Sequence, residues 1–419
     1  MLGGRRRSGG FGEGAGQRRT GGRVRPIRVA LVTHSFDCGG IERSIAYLAS
    51  YLPQEAFDPL IVCLTRSGTA ERWLTRPVTI VELHKPPRND ARVVLRLAAL
   101  LRERRVDIVH SHNWGTLVET VLARRLAGTP VHVHSERGTV LATLDYAGWR
   151  SRARAAAMRA ALSQVDLVVS NARATAERIE RLTGYPARRV CVVPNGVVEP
   201  INGERATLRA TIRRQLGVDD ETLLVGTVAR LDPVKDLAMF VRGLALARQR
   251  GARVAGLVVG DGPEGPRLRS LAAELGVEDA IHFVGYQDRP GGYYAAMDVY
   301  ANTSRSEGMS QAIVEAMAAG LPIVATPVGD TPRLIGGQPG CGVLVPVGSA
   351  ERFCDAIVRL AADQSARRDL GRAARRRFET ENSLDVMIER YTRTYEQLLS
   401  RRLAGSGGHH DLWRAERAN

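Results

Sequence analysis

Two carboxylates eight positions apart, Glu307 and Glu315, stand in the stretch SRSEGMSQAIVEAMAAGLPIVATPVGD that runs from Ser304 to Asp330. On one unbroken helix that spacing would turn them about 80° apart. They can face one ligand if Glu307 sits in a loop and Glu315 inside the helix that follows. The residues between them favour that geometry. Gly308 lets the chain turn sharply, and Ser310 is a natural N-cap. The helix start would then offer the amides of Gly308, Met309 and Ser310 to an anion. An anion site flanked by two carboxylates suits a ligand bearing both phosphate and hydroxyls, and a nucleotide sugar is such a ligand. Either acid alone would read as an ordinary surface carboxylate; the loop–helix–strand as a whole does not.

The cations sharpen this reading. The chain has 60 basic residues, of which two are lysines, Lys85 and Lys235. Lys235 falls in a loop read at the end of a strand, ARLDPVKD, five residues beyond Arg230. A compact ammonium beside a forked guanidinium suits a diphosphate. Near the N-terminus, Gly39 and Gly40 follow another apolar strand and would let a ligand approach the backbone, although the segment is not GxGxxG. Two His-x-His pairs, His110 with His112 and His132 with His134, read as the ends of two strands. No HExxH or accompanying carboxylate motif marks a metal site, so one or two of these histidines are expected at a ligand and the others in the core.

These residues need a scaffold that gathers strand ends. Apolar strands near 27–33, 57–64, 78–83, 106–110, 130–134, 165–169 and 190–194 alternate with helical segments, and the pattern restarts after a looser stretch at 199–221. Strict alternation predicts parallel sheets covered on both faces. The polar, Gly-rich motifs of the second half all follow strands, where doubly wound sheets bind ligands. The fold class is therefore α/β, two Rossmann-like doubly wound domains facing a cleft. The expected division is a basic leader at 1–26, a first domain at 27–200, a second at 201–384, a last helix at 385–403 and a tail at 404–419.

Composition narrows the classes. At 419 residues two domains are the prior. No run of about 18 apolar residues is present, and no signal peptide is visible. Five scattered cysteines without CxxC point to a reduced, cytoplasmic protein. The net charge is +16, and residues 1–26 contribute seven arginines against one acid. No zinc knuckle or basic–aromatic interleaving supports a nucleic-acid partner. An anionic membrane surface is the better candidate, through ARVVLRLAALLRERR at 91–105 and WRSRARAAAMRAAL at 149–162.

The motifs GGIE at 39–42, VHSH at 109–112, PNGV at 194–197, GTVARLDPVKD at 226–236, VGDGPE at 259–264, FVGY at 283–286 and the Glu307/Glu315 stretch come in a telling order. In that order and spacing the chain resembles the retaining family-four (group-one) glycosyltransferases, of the two-Rossmann-domain GT-B type, from Ile27 to about residue 400. The resemblance implies that Arg230 and Lys235 hold the donor diphosphate and steady the leaving group. It implies that Glu307 contacts the transferred sugar, with the backbone of Gly308, Met309 and Ser310 beside it. Glu315 would hold the ribose, and Gly39 and Gly40 would close on the diphosphate. The last helix would cross back onto the first domain. The sugar-contacting histidine that ends the fifth strand in many members corresponds in VHVHSERG to His134 or to Arg137.

The implied reaction moves a sugar from a nucleotide-diphosphate donor, UDP-sugar first, to a glycan or lipid-linked acceptor with retention, with no cofactor and no essential metal. Its setting would be surface polysaccharide or glycolipid synthesis in the cytoplasm, at the inner face of the cytoplasmic membrane. A nucleotide-sugar epimerase of the same architecture, or a non-catalytic sugar- or lipid-binding protein, are the alternatives. The charged set favours transfer.

Overall fold

The computed structural model describes residues 25–37, 39–87, 90–137, 148–201 and 204–404. Most of the expected leader and the tail beyond Ala404 lie outside these. Seven strands form the first sheet: β1 Ile27–Thr33, β2 Phe57–Cys63, β3 Thr79–Glu82, β4 Ile108–His112, β5 Val131–Glu136, β6 Leu167–Ser170 and β7 Val190–Val192. All pairings are parallel, in the order β3-β2-β1-β4-β5-β6-β7. The second sheet holds β8 Leu223–Val228, β9 Val254–Val259, β10 Ile281–Phe283, β11 Val299–Asn302, β12 Ile323–Ala325 and β13 Gly342–Leu344. It is also parallel, in the order β10-β9-β8-β11-β12-β13. Both sheets reverse their winding beside the first strand of the half, between β1 and β4 and between β8 and β11. Such switch points open a crevice at the carboxyl ends of the strands.

The helices follow from the alternation. The first half carries α1 Gly40–Tyr51, α2 Arg92–Glu103, α3 Trp114–Ala127, α4 Trp149–Leu162 and α5 Arg173–Thr183. The second carries α6 Arg205–Leu216, α7 Leu237–Gln249, α8 Gly265–Glu274, α9 Gly291–Ala296 and α10 Gln311–Ala318. It continues with α11 Thr331–Ile335, α12 Ala350–Ala362 and α13 Gln364–Arg377, and α14 Leu384–Leu403 is the last helix among the described residues. Each sheet has apolar clusters on both faces. That is why the strands read as nearly unbroken apolar runs. The helix α14 leaves the second sheet and buries Leu384, Met387, Ile388, Tyr391, Tyr395 and Leu398 in the same cluster as Val29, Leu31 and Ile61 of the first.

Two local expectations change. The first histidine pair does close its strand, β4 ending at His112, but the second does not, because β5 runs past His134 to Glu136. Polar residues of the two strands meet sideways: His110 Nε2 bonds Ser135 Oγ at 2.7 Å, and Ser111 Oγ bonds His132 Nε2 and His134 Nδ1, each at 2.8 Å, while His112 Nε2, His132 Nδ1, His134 Nε2 and both Glu136 oxygens are buried without a hydrogen-bond partner. The apolar stripe of α2 is not a free amphipathic face either. Val93, Leu97, Ala98, Leu100 and Leu101 are buried against β1 and β2.

Candidate functional site

The crevice of the second sheet is built from the ends of β8 and β11. After β8 the chain makes a short turn, Pro233–Lys235, and Asp236 takes a left-handed conformation at φ 45° before α7 begins. A non-glycine residue there is uncommon. It is held by tertiary contacts: Arg305 Nε donates to Asp236 Oδ2 at 3.0 Å, and Arg305 N donates to Val234 O at 2.8 Å. Thr303 Oγ1 donates to Lys235 O at 2.9 Å. The two strand-end loops are thus tied together, and the tie delivers Lys235 Nζ to within 2.6 Å of Glu307 Oε1. Ser304 Oγ donates to the same oxygen at 2.7 Å.

Ser310 caps α10 as its position predicted, accepting from Ile313 N. Such a cap contributes about 1 kcal/mol. Asn302 Nδ2 donates to the same hydroxyl at 3.2 Å, fixing the loop from the strand side. Glu315 then falls on the buried face of α10. Its Oε2 accepts from Tyr294 OH at 2.9 Å, and its Oε1 accepts from Arg43 Nη2 at 2.8 Å. Burial, reinforced by the Glu315 charge, holds the Tyr294 phenol well above its ordinary range, so it remains a donor. Arg230 follows β8 but stands largely exposed and pairs with Asp232. Met309 is buried, and Gly308 O accepts from Asp330 N at 2.9 Å.

The first domain supplies the other wall. Gly39 and Gly40 stand at the start of α1, and a methyl added at Gly40 would lie 3.4 Å from Gln311 Oε1. Arg43, one turn further on, reaches both Gln311 and Glu315 across the cleft. The Glu42 carboxyl beside it is raised above its usual range, first by burial. The structure therefore brings Lys235, Glu307, Glu315, the α10 start and the α1 glycines to one cleft.

It does not bring His134 there. His134 is fully buried within β5, bonded to Ser111, with its Nε2 at 3.7 Å from Glu136 Oε2. Of the two positions weighed for the sugar-contacting histidine, Arg137 is the one just past the strand end. Its guanidinium donates to Asn195 Oδ1 at 3.1 Å and to Tyr391 OH at 2.8 Å. Arg43 and Tyr294 were not picked out from the sequence. An arginine in so Arg-rich a chain carries no signal, and a tyrosine in an apolar helix reads as core.

Comparison with known proteins bears on the family and the fold. Residues 38–199 match the family described as Glycosyltransferase Family 4, and residues 222–363 match Glycosyl transferases group 1. A D-inositol 3-phosphate glycosyltransferase of Saccharomonospora viridis is 32% identical over 319 residues, covering 71% of this chain and 72% of that protein. The protein of the same name from Acidothermus cellulolyticus is 30% identical over 409 residues, covering 87% and 90%. The crystal structure of Anabaena Alr3699/HepE in complex with UDP and glucose superposes with a TM-score of 0.73 at 21% identity, covering 88% of this chain and all of that one. Its likeness is one of fold, and the fold is GT-B. The chain belongs to the family-4, group-1 glycosyltransferases.

Proposed function

We propose that this glycosyltransferase moves a sugar from a nucleoside diphosphate donor, UDP-sugar first, to an acceptor hydroxyl with retention at the anomeric carbon. The observation that carries the reading is the 2.6 Å pair of Lys235 and Glu307 beside the start of α10. Lys235, with Arg230 swinging in from solvent, would neutralise the diphosphate as the glycosidic bond breaks. Fixed charges aimed at a leaving group act most strongly in a closed, water-poor cleft. The first amides of α10 have no partner within the helix and would add to that field. Glu307 would accept from sugar hydroxyls, and Glu315 from the ribose.

Both oxygens of Glu315 are engaged, by Arg43 and Tyr294. On this reading the nucleotide displaces Arg43 and the domains close around it. The acceptor remains a glycan or a lipid-linked sugar in surface polysaccharide or glycolipid assembly. The names of the curated relatives favour a second class, a phosphorylated cyclitol.

Thermal unfolding with UDP-, GDP- and ADP-sugars, run beside Lys235→Ala, tests the donor site. A ligand at 100 times its Kd adds about 2.7 kcal/mol of stability. We expect one nucleotide class to raise the wild-type midpoint and to lose that effect in Lys235→Ala. Equal shifts in both proteins would remove Lys235 from the site.

A further inference from the structure

The turn after β12 does more than end a strand. Gly329 has φ +57°, and a methyl added there would come within 2.6 Å of Glu307 O and 2.4 Å of Gly308 O. Asp330 N donates to Gly308 O at 2.9 Å. The loop that carries Glu307 therefore rests directly on residues 329–330. The Asp330 carboxylate, however, leaves its own domain. Its Oδ2 accepts from Arg173 N at 2.9 Å and its Oδ1 from Ala174 N at 2.8 Å.

Arg173 and Ala174 are the first two residues of α5, in the first domain. That helix has no cap of its own, because the N-cap residue is Ala172 and offers no side-chain acceptor. The first amides of a helix need partners, and its N-terminus favours negative charge. Asp330 answers both needs from across the cleft. Two further contacts line the same seam: Arg333 lies 3.8 Å from Glu177, and Thr175 Oγ1 lies 3.5 Å from where a Gly308 side chain would begin.

We propose that Asp330 is a positioning residue that fastens the Glu307–Gly308 loop to the first domain by capping α5 across the cleft. Its carboxylate is spent on the two amides of α5. It sets the register between the wall that carries Glu307 and the wall that faces it. The catalytic consequence rests on the donor-site reading above; the fastening itself does not.

The experiment is hydrogen exchange on the full chain without ligand, comparing wild type, Asp330→Asn and Asp330→Ala. Asparagine keeps one acceptor and alanine none. Exchange at Arg173–Ala174 and in the 307–310 segment should both quicken, by tenfold or more in Asp330→Ala and by less in Asp330→Asn. Unchanged exchange, or faster exchange at Arg173–Ala174 alone, overturns the fastening. With a donor that turns over, kcat should fall at least tenfold in Asp330→Ala while the Kd for UDP moves less than twofold. An unchanged kcat would leave Asp330 a helix cap without a positioning role and overturn the proposal. If no donor turns over, the exchange result still decides the fastening, and the failure falls on the donor reading.

Discussion

At the scale of single residues, the buried histidines set a pH limit on stability. Burial holds His110, His112 and His132 well below the ordinary imidazole range, and neighbouring charges, Arg137 and Arg124 among them, push the same way. Above about pH 6.5 these side chains are neutral whether the chain is folded or not. Below it the unfolded chain takes up protons that the folded chain refuses. Stability must then fall with pH, by about 1.4 kcal/mol per pH unit for each histidine. Urea unfolding at pH 7.5, 6.5 and 5.5 should show this slope, and His132→Gln should reduce it by about a third. A midpoint independent of pH would contradict the buried network. The sequence displayed these histidines plainly but not their surroundings. Ser135 and Ser111, which bond His110 and His132, look like ordinary loop residues. The start of α10 was legible for the opposite reason, since Ser310 caps it within three residues, whereas the support that Gly329 and Asp330 give the Glu307 loop was not.

At the scale of elements, the crossing helix shows how a motif can be read correctly in place and wrongly in cause. Pro194, Asn195 and Gly196 suggest a turn, which needs nothing beyond the local chain. The glycine is required by something nearly 200 residues away. A methyl on Gly196 would lie 2.7 Å from Leu384 Cα, 2.8 Å from Met387 Cβ and 2.8 Å from Ser383 O. Two of these are backbone atoms at the start of α14, tied there by Val197 N to Asn382 O and Leu384 N to Val197 O. Neither can yield without moving the helix. Gly196→Ala should therefore destabilise the fold by about 1–3 kcal/mol, the usual cost of overpacking a well-filled contact. It should also loosen Tyr391 and Tyr395, which sit behind it against His110. Urea titration with tyrosine fluorescence would read both effects. Wild-type stability would mean that α14 is held elsewhere. Periodicity could place α14 as a helix; its landing site on the other domain's sheet is a long-range packing fact that no local pattern encodes.

At the scale of the molecule, the question is which surface meets the acceptor's surroundings. No helix among the described residues is long and apolar enough to cross a membrane. Yet three consecutive helices of the first domain expose large apolar side chains: Leu95 at 61%, Leu122 at 46%, Leu126 at 51% and Trp149 at 74%. The same helices carry Arg92, Arg96, Arg125, Arg150, Arg152 and Arg154, all exposed. The sequence pointed to 91–105 and 149–162 alike as membrane contacts, and the core takes up the apolar stripe of the first, α2. The remaining case lies in α4, which buries only Met158, Ala161 and Leu162 and presents its arginines to solvent. Basic side chains near an anionic leaflet contribute about 1 kcal/mol each. The chain should therefore pellet with vesicles rich in anionic lipid at low salt and be released as salt screens the attraction. Replacing Arg150, Arg152 and Arg154 by serine removes about 3 kcal/mol, on the order of a hundredfold in partitioning. Because these residues lie on a helix remote from Lys235 and Glu307 in sequence and on the other domain, turnover with a water-soluble acceptor should be unchanged. Equal recovery of wild type with neutral and anionic vesicles would show that the arginines serve solubility alone, and that the acceptor comes to the cleft from solution.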